Sequence, residues 1–138
     1  MILVDSNVVG EVTRTRPEPV VLDWFSRYAP LVAVPTVVLH EAVFGAERLE
    51  DPQRRGLIAA RLEALWARLE RRFVAFDEAA ARRCGQLRAA MAQKGVAMTL
   101  ADAQIAATCL SRRLPLASRD RAFARVPDLT LIDPWNDA

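Results

Sequence analysis

Five short apolar runs alternate along this chain with longer stretches of helical spacing, and that alternation limits the fold more than any single motif. The runs are ILV at residues 2–4, LVAV at 31–34, FVAF at 73–76, LA at 116–117 and LTLI at 129–132. Each has the length of a strand. Parallel neighbours need a crossover of a dozen residues or more, usually a helix, so strands separated by helices imply a mainly parallel sheet covered on both faces. The expected architecture is therefore an α/β/α sandwich around about five strands.

The intervening stretches support this. Residues 20–28 follow Pro17 and Pro19, 36–50 open on Thr36 as a candidate cap, and 77–94 end at Gly95, a helix stop signal. Residues 52–72 place Leu57, Ile58, Leu62, Leu65, Trp66 and Leu69 at helical spacing, with Arg and Glu on the other face. A last helix opens at Thr99. With 138 residues, 52% of them hydrophobic, and no repeat or linker, the chain is expected to form one domain over 1–138.

In sheets of this kind, sites form outside the carboxyl ends of the strands. Four acids fall there. Asp5 ends the first run and Asp120 follows the fourth after Ser118 and Arg119; Glu41 lies in the second turn of the helix after the second run, and Asp102 in the first turn of the helix opened by Thr99. A strand end and the start of the next helix share one edge of a parallel sheet, so the four carboxylates can converge.

Each also has a plain structural reading. Asp5 can cap a helix beginning at Ser6 or Asn7, Asp120 can cap residues 121–125, and Asp102 stands at capping-box spacing from Thr99. Glu41 is too deep in its helix to cap; it shares a helical face with Val37, Val38, Phe44 and Gly45 and is expected to point toward the sheet. No basic residue is bound by sequence to pair with it. Two carboxylates about 5 Å apart repel by ~3 kcal/mol at an effective dielectric of about 20, so four together need a cation, protonation or separation. A hard divalent cation answers this, and an Asp/Glu set in a chain whose one histidine is His40 suits Mg²⁺ or Mn²⁺ better than zinc. His40, about 100° around the helix from Glu41, reads as a surface or packing residue.

The remaining composition narrows partners. Nineteen basic and 17 acidic residues leave +2, so any polyanion contact is local, without the strongly basic balance of a nucleic-acid coat. All the basic residues except Lys94 are arginine, which suits phosphate contacts but also follows from genomic coding bias. Cys84 and Cys109 lack a CxxC pairing, which fits a reducing cytoplasm without disulfides or a zinc knuckle. The start carries no basic n-region, and no apolar run approaches the roughly 20 residues that cross a bilayer. A soluble, unexported, cytoplasmic protein is expected.

Taken together, ILVDSNVV, TVVLHEAVFGAERL, TLADAQIAAT, LASRD and the ending IDPWND resemble the PIN domain, specifically the VapC toxins of VapBC-type toxin–antitoxin pairs and their FitB-like branch. The likeness covers nearly the whole chain and rests on the order of all four acids. It implies a Mg²⁺- or Mn²⁺-dependent endoribonuclease acting on tRNA or mRNA. Asp5 matches the acid of a D-S/T-N motif, Glu41 that of an E-x-x-x-G helix with Gly45, Asp102 that of an A-D-A helix and Asp120 the acid after S/T-R. Ser6, Asn7 and Ser118 match the polar neighbours that support them. Asp5 and Asp102 are the expected metal ligands, with Glu41 and Asp120 binding directly or through water. The resemblance further implies an antitoxin covering the site, a homodimer that pairs with it as a dimer of heterodimers, and operator DNA contacted only through the antitoxin.

Recognition residues are less constrained. Arg14, Arg16, Arg48, Arg112 and Arg119 are candidate RNA phosphate contacts, against the plain reading of solvated or internally paired arginines. Trp24, Trp66 and Trp135 can stack on bases, although their apolar neighbours favour packing. Two rival classes stand beside the nuclease: an α/β phosphohydrolase with an aspartyl nucleophile at Asp5, whose D-x-D pattern Asn7 interrupts, and a PIN-fold interaction module without chemistry.

Overall fold

The strand β1 (Ile2–Val4) is buried along its whole length, and its neighbour β2 (Val32–Pro35) is equally buried. Both are apolar on both faces, as strands covered by helices on each side must be. The computed structural model describes residues 1–136, so Asp137 of the IDPWND ending lies outside the described residues. With β3 (Phe73–Val74), β4 (Leu116–Ala117) and β5 (Leu131–Ile132), the strands form one sheet in the order β3-β2-β1-β4-β5. Every pairing is parallel, with Ile2 opposite Val32, Val4 opposite Ala117 and Ala117 opposite Ile132.

Between the strands run α1 (Ser6–Val12), α2 (Pro19–Tyr28), α3 (Thr36–Glu47), α4 (Pro52–Arg68), α5 (Glu78–Gln93) and α6 (Leu100–Arg112). The chain steps outward from β1 through β2 to β3, then returns to the other side of β1 as β4 and continues to β5. Right-handed crossovers place α1 to α4 on one face and α5 and α6 on the other. The strand order reverses between β1 and β4. Sheets of this kind hold ligands beyond the carboxyl ends at such a reversal.

The core is built on Leu3, Val4, Trp24, Phe25, Val32, Trp66, Ile105, Leu116 and Phe123, all essentially without exposure. Trp24 and Trp66 are thus packing residues. Cys84 and Cys109 are buried free thiols, and burial pushes the Cys109 thiol up to about 12. No helix among the described residues is long and apolar enough to cross a membrane.

Several boundaries differ from the sequence expectation, each for a local reason. The helix expected over 52–72 ends at Arg68 because Glu70 and Arg71 both take left-handed backbone, φ 53° and 52°. Arg72 then anchors the turn by donating to the carbonyls of Val32 at 3.0 Å and Ala29 at 2.7 Å. Thr36 does not cap α3, whose N-cap is Pro35; its hydroxyl accepts instead from the Phe76 N–H at 3.2 Å, tying the helix start to the chain leaving β3. The sequence expectation put Phe44 on the sheet-facing side of α3, but it is 59% exposed. At 100° per residue it lies about 120° around the helix from buried Val38, whereas Ala46 returns to the sheet side.

Candidate active site

Asp5 closes β1 and opens α1. Its Oδ1 accepts from the Val8 N–H at 3.1 Å as an N-cap, so the backbone that ends the strand also fixes the carboxylate. Its Oδ2 accepts a hydrogen bond from the Ser118 hydroxyl at the end of β4. The residue is 3% exposed. Burial pushes its carboxyl up to about 6, with the bonds from Ser118, Val8 and Asn7 pulling it back and the charge of Asp120 adding to the rise.

Ser118 is the hinge of this corner. Its oxygen donates to Asp5 and accepts from the Asp120 N–H at 2.9 Å, so one hydroxyl sets two of the four acids. Asp120 in turn accepts from the Ala122 N–H at 2.9 Å and caps the 3₁₀ turn Arg121–Arg125. On α3, the half-buried Glu41 accepts from the Ser6 hydroxyl at 2.6 Å, which turns its carboxylate toward the start of α1.

Asp102 arrives from the opposite face of the sheet on α6. Thr99 caps that helix by accepting from the Asp102 N–H at 3.1 Å. The Asp102 carboxyl is held above the usual carboxylate range, first by burial and then by the charges of Asp120 and Glu41, against the Thr99 hydrogen bond. The charge of Asp120 acts on both Asp5 and Asp102, and that of Glu41 acts on Asp102. Asp5 and Asp120 follow β1 and β4, the two strands that flank the strand-order reversal.

No arginine or lysine among the described residues forms an ion pair with any of the four. Nor do three acidic, histidine or cysteine side chains, among the described residues, stand close enough to hold an ion as they lie. The donor set is wholly carboxylate oxygen, which fits a hard divalent cation, and the uncompensated repulsion is of the kind such a cation relieves. Holding one requires the side chains to draw inward.

The other named residues divide. Ser6 and Ser118 touch the acids directly, Asn7 is exposed and reaches Asp5 only through its backbone, and His40 is exposed. Arg14 pairs with Glu11 at 3.2 Å, and Arg112 donates to Asp77 at 3.1 Å and to the Ala75 carbonyl at 2.9 Å. Arg48 lies over the Phe44 ring at 5.6 Å, while Arg16 is exposed. Arg119 stacks over the Trp135 ring at 4.3 Å.

A model of the PIN domain matches residues 2–129. The chain belongs to the PIN domain family. As a PIN domain it is 30% identical to Toxin FitB of Neisseria gonorrhoeae over 139 residues, covering 99% of this chain and all of that one. It is 29% identical to the VapC ribonuclease Y4jK of Sinorhizobium fredii, with both chains fully covered. The solved structure of FitAcB from Neisseria gonorrhoeae superposes on 99% of each chain with a TM-score of 0.89 and 28% identity.

Two acids of this PIN domain escaped the sequence reading. Glu11 is 4% exposed, pairs with Arg14 and accepts from the Glu18 N–H at 3.1 Å, sealing the link from α1 to α2. Its i, i+3 spacing from Arg14 was the available signal. Asp133 follows β5 at the same sheet edge as the cluster, but both its oxygens are engaged within the closing 3₁₀ turn Pro134–Asn136, by the Trp135 N–H at 2.9 Å and the Asn136 amide at 2.6 Å.

Proposed function

We propose that this PIN domain is a Mg²⁺- or Mn²⁺-dependent endoribonuclease and the toxin of a VapBC-type toxin–antitoxin pair. The observation that carries the reading is the approach of four carboxylates, Asp5 and Asp120 from the ends of β1 and β4, Glu41 from α3 and Asp102 from α6, with no basic partner among the described residues. The names of the relatives, a ribonuclease and a toxin, support the same class.

Asp5 and Asp102 would hold the ion, with Glu41 and Asp120 binding directly or through water. When bound, a divalent ion lowers the pKa of water for in-line attack on a phosphodiester and offsets charge on the leaving oxygen. The chain's own groups prepare that chemistry. Ser118 fixes Asp5 relative to Asp120, Ser6 orients Glu41, and Glu41 and Asp120 are the candidates for orienting the attacking water or acting as general base. An antitoxin covering this site is the partner in this proposal, with a homodimer assembling as a dimer of heterodimers and operator DNA bound through the antitoxin alone.

Cleavage of total RNA with Mg²⁺ or Mn²⁺ and with chelator tests this. Activity is expected only with the ion and is expected to fall at least a hundredfold in Asp5→Asn and in Asp102→Asn, roughly the scale of losing a general acid–base or metal-holding group. Full activity in chelator, or in either variant, excludes the site. A covalent phospho-enzyme at Asp5 would instead establish the aspartyl phosphohydrolase.

A further inference from the structure

We propose that Arg119, seated on Trp135, is a substrate-binding residue: a platform on which an unpaired base of the RNA stacks beside the bond being cut. The inference rests on the ribonuclease reading above and adds a base contact to it.

The position comes first. Arg119 lies between Ser118, which bonds Asp5, and Asp120, which acts on both Asp5 and Asp102. A nucleotide whose phosphodiester reaches the acids therefore passes Arg119. Next is its state. The guanidinium lies 4.3 Å from the centre of the Trp135 ring, the residue is exposed, and no ion pair or hydrogen bond engages its side chain among the described residues. Arg14 and Arg112 are committed to Glu11 and Asp77. Arg119 is committed to no acid among the described residues.

The support beneath it is packed into the fold. The Trp135 N–H is held by Asp133 at 2.9 Å, its ring packs against the core, and the turn that carries it lies on α2. The indole Nε1 is buried and has no hydrogen-bond partner among the described residues. A flat cation laid on a fixed indole has one face covered and the other open. Guanidinium planes of this kind stack on unpaired bases, and they do so without reading base identity strongly. A lysine would supply the charge without the plane. This distinguishes a platform from a simple phosphate contact.

The test uses a short single-stranded RNA of mixed sequence whose cut position is mapped with the wild-type protein, and the same RNA made abasic on either side of the cut. KM and kcat are measured for wild type, Arg119→Lys, Arg119→Ala, Trp135→Phe and Trp135→Leu, and binding to Asp5→Asn is followed by anisotropy with and without the Arg119 substitutions. On intact RNA, Arg119→Lys, Arg119→Ala and Trp135→Leu are expected to raise KM and weaken binding about tenfold, the scale of one lost base stack. Trp135→Phe keeps an aromatic face and is expected to retain most of the affinity, kcat is expected to stay within about threefold throughout, and on abasic RNA the variants should match wild type. Rescue by Arg119→Lys would make the residue a phosphate contact and overturn the platform. So would an unchanged KM in Arg119→Ala, or an equal loss on abasic RNA. Because Arg119 is exposed, its variants remain informative if Trp135→Leu fails to fold. A wild-type protein that cuts no RNA with either ion would remove the ribonuclease reading and the platform with it, an outcome visible before any variant is made.

Discussion

Asp5 shows what a buried carboxylate does to the molecule that carries it. Its carboxyl is displaced from 3.8 to about 6 by burial, so between those values the folded chain binds more protons than the unfolded one. Folding stability from this group is therefore present at low pH and lost as pH rises through about 6. The shift corresponds to about 3 kcal/mol at neutral pH, as an upper scale. Asn caps a helix as well as Asp does and carries no charge to desolvate. In chelator at pH 7.5, Asp5→Asn is expected to be more stable than wild type by about 1–2 kcal/mol, seen as a thermal midpoint several degrees higher. At pH 4 the difference should vanish. An Asn variant that melts below wild type at both pH values would show that the cap and the Ser118 bond need the charged group.

Two threonines at helix starts act through different bonds, which makes elements the next scale of test. Thr99 caps α6 with a bond from the Asp102 N–H, whereas Thr36 follows the N-cap Pro35 and joins the start of α3 to the Phe76 N–H just beyond the neighbouring strand β3. Thr99→Ala is expected to cost about 1 kcal/mol, with Thr99→Ser restoring it. Thr36→Ala should cost a similar amount by leaving the Phe76 amide without its acceptor, about 1 kcal/mol. Urea titrations with an unchanged m-value check both; a silent Thr36→Ala would mean that water serves Phe76 equally well. This contrast also shows what the sequence made legible. The cap at Thr99 is a local pattern, and so are the strand ends that place Asp5 and Asp120, because strand and helix periods fix which edge a residue joins. The α1 helix is only seven residues long and was legible only as a candidate start after Asp5. The exposure of Phe44, the Thr36 bond and the Arg119–Trp135 stack depend on what packs beside each side chain, and a single chain's periodicity does not carry that information.

At the scale of the whole molecule, the parallel topology brings acids from distant parts of the sequence toward one sheet edge, where no basic side chain among the described residues pairs with them. Asp5 and Asp120 come from the two strands that flank the reversal, Glu41 from α3 and Asp102 from α6 on the other face. A ligand that neutralises them must then stabilise the fold as a unit, since it binds the folded state and not the scattered unfolded chain. Adding Mn²⁺ or Mg²⁺ at a hundredfold over its dissociation constant is expected to raise stability by about 2.7 kcal/mol, a shift of several degrees in the melting midpoint. The gain should shrink at pH 5, where protons compete for the raised Asp5 carboxyl, and should be absent from Asp5→Asn combined with Asp102→Asn. Metal-free melts in chelator, then melts with each ion at both pH values, supply the comparison without reference to catalysis. If the doubly substituted protein gained as much as wild type, the ion would be binding elsewhere, and the acids at the β1–β4 reversal would have to be held together by hydroxyls and protons alone.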